Sequence, residues 1–154
     1  MALADLLQHD AIIPALRVNS KKQLLQELAA KASKLIGIPE KDIFDVILQR
    51  EKLGSTGVGN GIAIPHGKLT NISSIQGVFA RLDTPIDFEA LDEQPVDLVF
   101  LLLAPEGAGA DHLKALSRIA RVLRDQDLVA KLRASDSDTA IYTFLNQDQA
   151  SNAA

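Results

Sequence analysis

Val96-Asp97-Leu98-Val99-Phe100-Leu101-Leu102-Leu103-Ala104 is apolar at every position but one. A strand this uniform has no face to offer water, so it belongs at the centre of a sheet that is covered on both sides. It is far shorter than the roughly 20 apolar residues a membrane helix needs, and no longer apolar run exists in the chain. Ile75 to Leu82 reads as a second strand, and the intervening Thr84 to Gln94 holds turn residues.

The covering layers lie to either side in sequence. Ala11 to Val18 is β-branched and apolar, with Pro14 favouring an edge position because it cannot donate to a ladder. Ser20 is a helix N-cap; Leu24, Leu28, Ala32 and Leu35 then recur at helical spacing up to a stop at Gly37. Pro39 opens a second helix carrying Ile43, Phe44, Ile47 and Leu48, which runs to about Lys52. A short strand is expected at Ile62-Ala63-Ile64. Asp111 is a candidate N-cap for a helix with Leu113, Leu116, Ile119, Ala120 and Leu123 on one face. Further helical pieces cover Leu128 to Leu132 and the stretch after Asp136. The order is strand, two helices, three strands, then two or three helices. It predicts a single-domain α/β sandwich, a mixed β-sheet flanked by helices, over 1–146, with 147–154 as a flexible tail.

Composition narrows the function. The 154 residues, 47% apolar and 23% charged, suit one globular domain. With 16 basic against 20 acidic residues and a net charge of -4, the balance argues against a nucleic-acid protein that works through a basic face. No secretory signal and no membrane span are read, and the chain has no cysteine. That removes disulfides, thiolate zinc sites and cysteine nucleophiles, and fits a cytoplasmic location. Only His9, His66 and His112 remain as imidazoles. His9, near the terminus, reads as a solvated residue.

Five of the nine glycines fall between Gly54 and Gly67. In Arg50-Glu51-Lys52-Leu53-Gly54-Ser55-Thr56-Gly57-Val58-Gly59-Asn60-Gly61-Ile62-Ala63-Ile64-Pro65-His66-Gly67-Lys68, a basic helix end leads through a glycine-rich loop into a short strand ending in Pro-His-Gly. Pro65 restricts Ile64 to extended geometry and interrupts pairing, and Gly67 allows a turn directly after His66. An imidazole presented this way is a usable nucleophile near neutral pH. Backbone amides around Gly57, with Arg50, Ser55 and Thr56, are donors suited to a phosphate. His112, at a helix start after Gly107-Ala108-Gly109-Ala110, is a second candidate, a donor to a phosphoryl oxygen.

Competing patterns fit less well. Gly67-Lys68 is followed by Leu69, so it is no Walker loop, and Gly57-x-Gly59 precedes a strand where a dinucleotide fingerprint follows one. A Ser55/His66/Asp111 hydrolase triad lacks the Gly-x-Ser-x-Gly elbow. A His66/His112/Asp111 metal site lacks ligand spacing. No metal and no cofactor is expected. The residues alone assign Glu51 no chemistry.

The run Glu51 to Gly67 resembles the histidine-site pattern of the fructose/mannitol class of enzyme IIA in the bacterial phosphoenolpyruvate phosphotransferase system. The matching positions are Glu51, Val58, Gly59, Ile62-Ala63-Ile64-Pro65-His66 and Gly67. Leu53 to Lys68, Leu91-Asp92-Glu93-Gln94-Pro95-Val96-Asp97 and Gly109-Ala110-Asp111-His112-Leu113-Lys114-Ala115-Leu116 are similar to its nitrogen-regulatory branch. The resemblance implies a mixed-sheet α/β sandwich, phosphorylation of His66 on Nε2, and a phosphoryl pocket lined by Arg50 and His112 beside the Ser55-Thr56-Gly57 loop. It implies an HPr-like phosphocarrier protein as donor, and potassium-uptake or sensor-kinase proteins as regulated partners. The alternative is a sugar-transport IIA passing phosphate to a fructose or mannitol IIB. No IIB or membrane segment adjoins the domain in this sequence, which favours the regulator.

Overall fold

The computed structural model describes residues 3–153, with side chains for 3–147. In chain order the elements are α1 (Leu3–Leu6), a 3-10 turn (His9–Ala11), β1 (Ile12–Leu16), α2 (Lys21–Ile36), α3 (Glu40–Lys52), β2 (Gly57–Gly59), β3 (Ile62–Ala63), β4 (His66–Leu69), β5 (Gln76–Ile86), β6 (Val96–Pro105), α4 (Ala110–Val122), α5 (Gln126–Arg133) and α6 (Asp138–Ala153).

The apolar strand β6 is central. It runs antiparallel to β5 on one side and parallel to β3 and β4 on the other. β1 closes one edge, parallel to β5, and β2 the other, antiparallel to β3. Pro14 thus sits on an edge strand, as its missing N–H requires. Along β6, Leu98, Phe100 and Leu102 pack with α1, α4, α5 and α6, while Val99, Leu101 and Leu103 pack with α2 and α3. The period of two sends alternate side chains into two separate cores.

Helix α2 starts and stops as expected. The Ser20 hydroxyl accepts from Gln23 N at 3.1 Å, and Gly37, at φ 78°, donates back to the Ser33 carbonyl at 2.9 Å. Three other expectations are corrected. Asp111 is not the N-cap of α4: Gly109, at φ 54°, takes that place and Asp111 falls in the first turn. The strand from Ile75 starts at Gln76 and continues through Thr84 to Ile86. His9 is exposed, as read from the sequence, and its Nε2 also meets the Thr139 hydroxyl at 3.2 Å with its ring edge-on to Tyr142. Gly67 makes no turn and lies within β4. A Cβ there would collide with Val46 Cγ1 of α3, so the glycine is a packing requirement. The expected tail begins inside α6, whose backbone is described to Ala153; its side chains from 148 lie outside the described residues.

β3 and β4 keep one register with β6. Ile62 pairs with Leu98 and His66 with Leu102, four residues on in both strands. Regular pairing lapses at Ile64 and Pro65, although Pro65 still accepts from Leu102 N at 2.9 Å. His66 therefore opens a strand, on the same face as Ile64 and Leu102, which is the α4 face.

Candidate functional site

The backbone just before His66 sets the imidazole. The Ile64 carbonyl lies 2.8 Å from His66 Nδ1, while Ile64 N donates to the Thr56 carbonyl at 3.0 Å. A carbonyl can only accept, so Nδ1 carries the proton and Nε2 the lone pair. Nε2 faces the Nε–H of Arg50, which donates to it at 3.3 Å from the last turn of α3. Burial pushes the His66 pKa below the ordinary histidine value; the Ile64 hydrogen bond acts the other way, Arg50 lowers it further and Glu51 raises it. The result is a neutral imidazole with a fixed tautomer and its free nitrogen turned toward a cation.

His112 stands across from it. The two rings are 5.6 Å apart, centre to centre, and nearly perpendicular at 78°. His112 is 6% exposed, and its Nδ1 is buried without a hydrogen-bond partner. Its pKa is also lowered, by burial first and then by His66 and Lys68. A buried polar atom without a partner costs on the order of 1–3 kcal/mol, so this nitrogen is held in an unfavourable setting.

The rings open on a cavity of about 670 Å³ lined by Val46, Gln49, Arg50, Leu53, His66, Gly67, Lys68, Gly109, His112, Leu113 and Leu116. Arg50, His66 and His112 are thus brought together. Ser55, Thr56 and Gly57 do not line it, because their polar groups have partners elsewhere. The Ser55 hydroxyl donates to the Phe88 carbonyl at 3.2 Å and accepts from Gly57 N at 3.1 Å. The buried Thr56 hydroxyl donates to Glu51 at 2.9 Å. The Ser55/His66/Asp111 triad has no geometric basis, since neither His66 nitrogen meets Ser55 or Asp111. Among the described residues no group of three or more metal-ligating side chains occurs, and no helix is long and apolar enough to cross a membrane.

Sequence reasoning missed Lys68, Leu53 and Leu113. Lys68 is two residues from His66 on β4, so both side chains share one face. Reading 66–69 as a strand would have found it. Leu53 is 84% exposed and Leu113 66%, so two bare leucines stand on the rim of a cavity that holds one arginine and one lysine.

Residues 5–148 match the family model described as phosphoenolpyruvate-dependent sugar phosphotransferase system, EIIA 2. The chain belongs to this enzyme IIA family. A nitrogen regulatory protein of Bradyrhizobium diazoefficiens is 68% identical over 145 residues, 94% of this chain and 95% of the relative. One from Escherichia coli is 41% identical over 150 residues, 97% and 92% of the two chains. The crystal structure of nitrogen regulatory protein IIA-Ntr from Neisseria meningitidis superposes with a TM-score of 0.88 at 34% identity, covering 93% of this chain and 98% of that one. The mixed-sheet α/β sandwich expected from the strand and helix order, and implied by the resemblance to enzyme IIA, is the fold observed.

Proposed function

We propose that this enzyme IIA is a phosphohistidine carrier of the nitrogen-related phosphotransferase system, acting in the cytoplasm and regulating partner proteins by its phosphorylation state. The observation that carries the chemistry is the pair of hydrogen bonds on His66, with the proton held on Nδ1 by Ile64 and the Nε2 lone pair beside Arg50.

That arrangement dictates the step. Nε2 attacks phosphorus; the new P–N bond forms while the bond from phosphorus to the donor breaks, its electrons leaving with the donor. The ring acquires positive character as Nε2 gives up its lone pair, and the Ile64 carbonyl on Nδ1–H stabilises it. Arg50, and Lys68 on the cavity wall, offset the negative charge of the arriving phosphoryl oxygens. His112, neutral and with an open valence, donates to one of those oxygens and is not itself the acceptor. Ser55, Thr56 and Gly57 support the site from behind, as a braced loop.

The donor is an HPr-like phosphocarrier protein. Leu53 and Leu113 on the rim suit a small transient interface, apolar at the cavity mouth with the cations Arg50 and Lys68 inside it. The nitrogen regulatory relatives favour the regulator over the sugar carrier, and the partners that the family resemblance implies for it are of the potassium-uptake or sensor-kinase kind.

The test is transfer of labelled phosphate from phosphoenolpyruvate through an enzyme I and an HPr-like carrier. His66 should take the label in an acid-labile, alkali-stable bond, because protonation of a phosphoramidate nitrogen promotes its hydrolysis. Label retained in His66→Ala would refute the reading. Rapid onward transfer to a fructose or mannitol IIB, with no partner that distinguishes the two states, would establish the sugar carrier instead.

A further inference from the structure

Glu51 sits in the histidine-site pattern, yet it takes no part in the transfer of the phosphoryl group itself. Its carboxylate, on the last turn of α3, is almost wholly buried with 3% of the side chain exposed. Thr56 N donates to both of its oxygens at 3.1 Å, and the Thr56 hydroxyl adds a third bond at 2.9 Å. The Lys21 ammonium, from the start of α2, lies 3.3 Å from Oε1 and 4.5 Å above the centre of the Phe88 ring. The Phe88 carbonyl in turn takes the Ser55 hydroxyl.

The same loop grips Arg50. Nη1 of Arg50 donates to the Gly54 carbonyl at 3.1 Å while its Nε faces His66 Nε2. A guanidinium on a long side chain has many rotamers, and only a fixed one aims Nε at the reacting nitrogen. Gly54 supplies that fixed point, and Gly54 is exposed and glycine-flexible in its own right, at φ 149°. Directly after it in the chain comes the segment that Glu51 holds through Thr56.

We propose that Glu51 is a positioning residue for phosphoryl transfer: by holding residues 55–57 it fixes the Gly54 carbonyl, and through that carbonyl the Arg50 guanidinium, against Nε2 of His66. The inference rests on the phosphocarrier reading for its kinetic consequence and on the free protein for its structural one. Glu51 makes no contact with the ring and reaches it directly only as a charge at a distance, the last of the four influences on the His66 pKa; its positioning effect passes through Arg50. Lys21, seated over the Phe88 ring, completes the clamp by holding the carboxylate in place.

Two measurements separate this from a purely stabilising ion pair. The first is a cycle of transfer rates in the wild type, Glu51→Gln, Arg50→Ala and the double variant. Glu51→Gln keeps the shape and one carbonyl acceptor but weakens the clamp. A misplaced catalytic group can lose on the order of 10²-fold, and that is the expected effect of Glu51→Gln on the phosphorylation rate. In the Arg50→Ala background the same change should cost no more than about twofold, because its route is already gone. Equal losses in both backgrounds, or no loss in the first, would overturn the proposal. Should Glu51→Gln fail to fold with Lys21 left unpaired, Glu51→Gln with Lys21→Met removes both charges and takes its place in the cycle.

The second measurement needs no donor. The Arg50 Nε–H of the free protein is read by ¹H–¹⁵N NMR together with the His66 ring nitrogens. Loss or broadening of the Arg50 signal in Glu51→Gln, with its recovery in Glu51→Asp, supports the clamp. An Arg50 signal and a His66 Nε2 shift unchanged from the wild type overturn it. If the wild type accepts no phosphate at all, the carrier reading fails, and this spectrum still decides the role of Glu51.

Discussion

Two nitrogens on one ring do different work in His66. Nδ1 belongs to the backbone, through Ile64, and Nε2 belongs to the cavity, through Arg50. Because burial lowers the pKa, the ring stays neutral to a pH below the ordinary value of about 6.5. Phosphate acceptance should therefore hold level as pH falls through that value and decline only further into acid, when Nε2 is protonated. A pH–rate profile of the labelling step measures this, and a fall beginning above pH 6.5 would contradict it. The same shift acts on stability. Below about pH 6.5 the unfolded chain binds protons at His66 and His112 that the folded one resists, so unfolding becomes easier as pH drops toward the carboxylate range. Urea midpoints should fall across that window, and the slope should lessen in His112→Gln. Arg50→Ala should lose on the order of 10²–10³-fold in transfer rate with the fold intact, by comparison with removal of one donor to a developing anion. Stopped-time labelling beside a thermal melt checks both halves.

At the scale of elements, what could be read from sequence divides by the kind of signal. The helix α2 declares itself through Ser20, Gly37 and leucines at a 3.6 period, and β6 through its unbroken apolar run. β2 and β4 carry neither pattern. Their residues are mostly glycine or polar, and they are strands because β3 and β6 supply backbone partners. The site shows the same division. His66, Arg50 and His112 could be named from residue type and motif, whereas Lys68 and the rim leucines depend on a strand face and a helix face that only the fold brings together. Ser55 and Thr56 were expected at the cavity because hydroxyls suit phosphate; that they turn inward is due to Glu51 and Phe88, whose positions local sequence does not reveal. Gly67 is the plainest case, since glycine signals a turn as readily as a close approach. Its requirement is set by Val46 on α3. Gly67→Val should lower stability by about 1–3 kcal/mol through overpacking, and should displace α3 and Arg50 with it. A thermal melt and a transfer assay together test this: a variant as stable and as active as the wild type would mean that α3 yields without consequence.

For the molecule as a whole, the reacting group lies on the surface its partners must meet. Phosphorylation adds about -1.5 to -2 charge at physiological pH. It arrives at a cavity with two cations, on a rim where Leu53 and Leu113 are exposed, in a protein whose net charge is already -4. A partner packed over the bare histidine would have to make room for that group and strip its water, a cost that Arg50 and Lys68 offset only in part. A regulated target should therefore bind the unphosphorylated form at least about tenfold more tightly, roughly 1.4 kcal/mol. Calorimetry with both forms measures the ratio, and equal affinities would place the regulatory contact away from His66. Leu53→Ser and Leu113→Ser should weaken both the donor and the target if the two share this rim.

The shared register of β3 and β4 along β6 also bears on how the chain reaches its working state. Side chains alternate across a strand, so a slip of one residue between β4 and β6 would turn His66 toward the face where Gly67 meets Val46 of α3, and leave Gly67, which has no side chain, on the face turned to His112. Misaligned molecules would be chemically silent while keeping much of their secondary structure. In a refolding experiment, circular dichroism would count every chain that had regained helices and strands, but radiolabel would count only those in true alignment. The phosphoryl group becomes a reporter of sheet assembly, and the interval between the two signals would time the search for register.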